Sequence, residues 1–61
     1  MMNSMDVSVF ARQLYESHGA KAIAEAAQKA VSLEKAGDME QSRTWRRVEA
    51  VLLEMRGPHQ G

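Results

Sequence analysis

The sequence predicts an all-α domain of three helices, the second and third forming a helical hairpin and the first packed against it. Strong helix formers (Ala, Leu, Met, Glu, Gln, Lys and Arg) fill the stretches between the breaks. Those breaks are few: Gly19 and Gly37 interrupt the chain internally, and the single Pro is Pro58. Strand signals are nearly absent, because β-branched residues are scattered and no long stretch alternates polar and apolar. At 61 residues the chain holds one domain at most. That domain is expected over residues 6–56, between a flexible N-terminus at 1–5 and a flexible tail at 57–61.

Helix 1 is expected over about 6–18, with Asn3, Ser4 or Asp6 accepting a hydrogen bond from a free backbone N–H at its start. Val7, Phe10, Ala11, Leu14 and His18 recur at three- and four-residue steps and so share one face. Tyr15 lies at the edge of that stripe, while Arg12 and Glu16 point away. Gly19 follows as a residue in the left-handed conformation, which Gly adopts without strain.

Helix 2 is expected over about 20–36 and is rich in alanine. Steps of 100° put Lys21, Glu25, Gln28, Lys29, Ser32 and Lys35 on one arc. The wider remaining arc holds Ala20, Ala22, Ile23, Ala24, Ala26, Ala27, Ala30, Val31 and Leu33, with Glu34 intruding. An apolar arc wider than one packing stripe predicts a helix touching two neighbours, so helix 2 is expected in the middle. Its small side chains allow close approach of the helix axes.

Gly37 stops helix 2, and Asp38 is a strong N-cap for helix 3. Gln41, three residues on, is placed to reach back and complete a capping box. So short a connection makes helices 2 and 3 antiparallel neighbours. Helix 3 is expected over about 39–56, with Trp45, Val48, Val51, Leu52 and Met55 on its core face and Trp45 anchoring the core. Arg43, Arg46 and Arg47 gather on the other side with Glu40 and Glu54, and Glu49 is spaced to pair with Arg46. Leu53 falls off the main stripe and is expected in solvent.

Composition excludes several functions. The chain has no Cys, so neither a disulfide nor a thiolate nucleophile is available. Eight basic residues balance eight acidic ones, whereas domains that bind polyanions usually carry a basic excess. His18 and His59 stand at separate helix ends, and no paired spacing of His with His or Glu suits a metal. There is no Gly-rich phosphate cradle and little room for a water-excluding pocket. The expectation is a protein that is not an enzyme and uses no cofactor and no metal. Neither a basic leader nor a long apolar run is present, so a cytoplasmic protein without membrane association is expected.

Large apolar side chains are few, and a domain this small buries only about 60% of its unfolded surface. Isolated folding is therefore expected to be marginal. Self-association, or docking on a larger protein, offers a remedy through Val9, Ala50 and Leu53, which lie off the core stripes. The sequence is thus read as a small protein–protein interaction module or accessory subunit, self-associating. The alternative is a nucleic-acid-binding regulator using the Arg43, Arg46 and Arg47 face of helix 3 after a tight turn.

The run His18-Gly19-x-x-Ala22, then Ala26-x-x-x-Ala30, Leu33, Gly37-Asp38, Trp45-Arg46-Arg47 and Val51, resembles a group of short bacterial helical proteins of unknown function. The likeness spans about Val7 to Met55 and implies no activity, cofactor or catalytic residue. The stretch from Ala30 to Glu40 is also similar to the inter-helix turn of a tetratricopeptide unit, or of microtubule-interacting-and-trafficking domains. That covers a single turn, and the repeat of a tetratricopeptide array is missing.

Overall fold

A computed structural model describes residues 4–57, with side chains from Asp6 onward. It contains three helices, α1 (Ser4–His18), α2 (Lys21–Lys35) and α3 (Met39–Met55). The first begins two residues earlier than the periodicity suggests, so Ser4 and Met5 extend the helix, and the proposed caps Ser4 and Asp6 lie inside it. Asp6 sits in the first turn, where its charge opposes the positive end of the helix dipole. Asn3 and the tail at 58–61 lie outside the described residues.

Both connections are built around a glycine. Gly19 has φ +64° and its N–H donates to the Tyr15 carbonyl at 2.7 Å, closing α1 with a single left-handed residue. The carbonyls of Gly19 and Ala20 then accept from the N–H groups of Ala22 and Ile23 at 3.0 and 3.1 Å. Helix α2 thus opens on backbone bonds, without a side-chain cap. At the other end of α2, Gly37 has φ +87°. Its N–H donates to Glu34 and that of Asp38 to Leu33, at 3.0 and 2.9 Å. This pair of bonds is a Schellman motif, which satisfies two terminal carbonyls at once.

The same motif corrects the expected capping box. The Asp38 carboxylate does accept from the Gln41 backbone N–H at 3.1 Å. The return bond, however, needs the Asp38 N–H as its donor, and that group is already committed to Leu33. Half of the box forms, and the other half gives way to the end of the preceding helix.

Packing also corrects the expected order of layers. Helices α2 and α3 pack most closely, α1 packs chiefly against α3, and α1 and α2 touch least. The middle position therefore belongs to α3. Its core face meets Val7 and Ala11 of α1 on one side and Ala22 and Ala26 of α2 on the other, around Val48 and Leu52. Phe10 and Trp45 close this core edge to face, their ring centroids 5.4 Å apart at 84°. Trp45 is half-buried, packed against the core rather than enclosed by it.

Helix α2 buries only the narrow stripe Ala22, Ala26 and Ala30. Ala20, Ala24 and Val31, placed in its apolar arc by the sequence pattern, face outward. Alanine reads as apolar in a pattern, yet its methyl group offers little surface for a second neighbour to cover. The larger side chains of α3 attract α1 instead. His18 is likewise outside the core. Its Nδ1 lies 2.5 Å from Glu25 Oε1 with both side chains exposed, a surface link between α1 and α2.

One buried polar residue completes the hairpin. Ser42, on the first turn of α3, is 5% exposed and donates its hydroxyl to the Ala30 carbonyl at 2.9 Å. A short side chain reaches the backbone of the opposite helix only where the two axes run close. Alanines on α2 and a serine on α3 supply that proximity.

Candidate protein-contact surface

The residues singled out for association do stand in solvent. Val9 on α1 is 51% exposed and Leu53 on α3 45%, and Ala50, three residues before Leu53, is exposed as well. Ala50 and Leu53 are i, i+3 neighbours on the exposed side of α3, while Val9 lies on α1. Ala50 lines an open groove between α1 and α3 together with Val7, Ser8, Arg47 and Val51. Val9 lines the neighbouring depression on α1 with Ser8, Arg12, Gln13 and Glu16. Ser8 belongs to both. Leu53 lies outside these two depressions. At 100° per residue it falls within about 20° of Ser42, on the flank of α3 that faces α2.

Two further exposed apolar side chains were not expected. Val31 is 37% exposed and Met39 47%. Val31 lines a depression on the outer side of α2 with Ala27, Gln28 and Ser32. The sequence pattern hid Val31 by assigning α2 a second neighbour that α3 receives instead.

The three helix-3 arginines separate as well. Arg46 is held by Glu49 through an ion pair of 3.0 Å, the partner expected from the sequence. Arg47 turns to the α1 side and lines the groove. Arg43 lies one turn before Arg47 and is exposed. Neither Arg43 nor Arg47 pairs with an acid among the described residues, and the same holds for Arg12. The groove thus has apolar atoms of Val7, Ala50 and Val51 with the Arg47 guanidinium at its margin, while Arg12 lines the neighbouring depression with Glu16. Chemically it can cover apolar atoms and donate N–H groups to a carboxylate or a phosphate.

Among the described residues, no three side chains of His, Asp and Glu gather as a metal would require. No described helix is long and apolar enough to cross a membrane. No protein-family model matches the sequence, and neither a curated protein nor a solved structure matches it.

Proposed function

We propose that this chain works by protein–protein contact, as a non-catalytic, self-associating module or accessory subunit in the cytoplasm. The observation that carries the reading is a mismatch between core and surface. Leu52 and Val48 are the largest fully buried side chains, while Val9, Val31, Met39 and Leu53 stand exposed on rigid helices. A fold with so few large side chains inside and these outside gains from covering the second group. The likeness to short bacterial helical proteins belongs to the same proposal.

Sedimentation of the purified protein tests self-association. The expected result is a weight-average mass that rises with concentration for the wild type and stays monomeric for Leu53→Asp. A wild-type chain that remains monomeric at about 1 mM, the weak end of specific association, would remove the self-associating version. The nucleic-acid reading draws support from Arg43 and Arg47, which lack acidic partners among the described residues. Replacing Arg43, Arg46 and Arg47 together should then abolish a salt-sensitive shift of DNA or RNA. If the wild type causes no shift at low salt, that reading ends.

A further inference from the structure

We infer that α1 is an exchangeable arm, which leaves its own α3 and docks on the α3 of a second copy when Gly19 opens into a helical backbone. The partner is this same chain, and the inference goes beyond the surface contact proposed above because it does not use Leu53. Three observations carry it: how lightly the first turn is held, what α1 touches, and the phase of the apolar stripe.

The turn between α1 and α2 hangs on one residue. Gly19 is left-handed at φ +64°, whereas Ala20 is already helical at φ −63° and ψ −21°. The bond from the Gly19 N–H to the Tyr15 carbonyl is of the i→i−4 kind that a continuing helix also makes. No side chain caps α2. The second turn is held more firmly, by the Schellman bonds of Gly37 and Asp38 and by the Asp38 cap on Gln41. Asp38 itself is non-helical there, at φ −93° and ψ 78°. Bringing Gly19 into the helical region joins α1 and α2 into a single helix over 4–35, about 48 Å long.

Little holds those two helices together. They touch least of the three pairs, while α1 packs chiefly on α3. Opening breaks the exposed link between His18 and Glu25. Val7 and Ala11 still find Val48 and Leu52, and Phe10 still finds Trp45, because a second copy offers the same α3. Each contact between α1 and α3 is thus replaced by its equivalent across two chains.

The sequence suits the open form as well. Ala11, Leu14, His18, Ala22, Ala26 and Ala30 follow one another at three- and four-residue steps, straight through the break. The core faces of α1 and α2 therefore stay on one side when the helix runs on. Gly19 opposes this form, since glycine is at ease in the left-handed turn and poor inside a helix.

Gly19→Ala tests the inference. A methyl group at Gly19 would meet nothing within 4 Å, so the closed form is penalised through backbone conformation alone. Alanine disfavours the left-handed turn about tenfold and favours the continuous helix about fivefold. Two chains exchange together, so the dimerisation constant should rise about a thousandfold. Gly19→Asn, which tolerates the left-handed region, should leave it near the wild-type value. Sedimentation at about 100 μM compares wild type, Gly19→Ala, Gly19→Asn and Gly19→Ala/Leu53→Asp, with circular dichroism checking that each is folded. Gly19→Ala should be dimeric with or without Leu53→Asp.

The chain has no Cys, so introduced thiols report the exchange itself. Ser8 and Ala50 line the same groove between α1 and α3. Gly19→Ala chains carrying Ser8→Cys are unfolded, refolded together with Gly19→Ala chains carrying Ala50→Cys, and oxidised. Exchange places the two thiols side by side across chains, so the mixed disulfide should exceed its random share over the two same-site disulfides. A folded Gly19→Ala monomer would overturn the inference. So would a dimer that Leu53→Asp dissolves, or mixed disulfides at no more than their random share. If Gly19→Ala does not fold, the same thiol pair in chains that keep Gly19, refolded together at about 1 mM, decides by the same criterion. A wild type that stays monomeric removes the Leu53 contact and leaves the exchange standing, and a failed exchange leaves the Leu53 contact standing.

Discussion

Ser42 shows how much a single side chain can decide in a hairpin this small. Its hydroxyl donates to Ala30 across the interface, yet a helix-interior carbonyl already has its own backbone donor. Losing the hydroxyl therefore strands nothing. Ser42→Ala should cost less than about 1 kcal/mol, because the lost bond is partly offset by better helix propensity. Ser42→Leu keeps no bond either but forces the helices apart, and should cost about 1–3 kcal/mol. Urea unfolding followed by circular dichroism compares the two. Equal losses would show that the hydrogen bond, and not the spacing, is what matters at this position. The residue was in principle legible, since Ser42 shares a face with Trp45, Val48 and Leu52 at helical spacing. A lone serine among polar neighbours near a helix start does not announce burial, and only the alanine stripe opposite makes room for it. Asp38 was legible for the opposite reason, because its capping bond depends on residues within four positions. Its N–H was not, because Leu33 takes it through the end of another helix.

At the scale of elements, the sequence marks where helices stop better than which ones touch. A stop is local: Gly37 at φ +87° and Gly19 at φ +64° adopt a backbone that other residues reach only with strain. A methyl group added at Gly37 would meet nothing within 4 Å, so the cost of a substitution there is one of backbone conformation alone. Gly37→Ala should thus destabilise by about 1–2 kcal/mol. Gly37→Asn should cost distinctly less, since Asn tolerates the left-handed region better than Ala does. Thermal unfolding of the two variants settles it; equal losses would mean that the turn adopts another conformation. Contacts between helices are not local. The broad alanine arc of α2 suggested two neighbours, but pattern counts residues while packing counts surface. Phe10 finds Trp45, and Val7 and Ala11 find Val48 and Leu52, so α1 settles on α3. The same asymmetry leaves Val31 outside.

For the whole molecule, the adjacent leucines of α3 separate folding from association. Leu52 is fully buried and Leu53 is 45% exposed, one residue apart on the same helix. Stability of roughly 0.05–0.15 kcal/mol per residue gives a chain of this length only a few kcal/mol in total. Leu52→Ala removes about 2–5 kcal/mol, a large share of that amount, and should abolish or sharply lower the cooperative thermal transition at every concentration. Leu53→Ala removes far less from the monomer. If copies associate through this flank, the wild-type midpoint rises with protein concentration, because only the folded chain binds its partner. Leu53→Ala should then flatten that rise while leaving the dilute midpoint nearly unchanged. A scan of midpoint against concentration for the three proteins distinguishes the roles. A wild-type midpoint independent of concentration would mean that this small core sustains the fold unaided. In that case the exposed leucine would need a partner of another kind to explain its position.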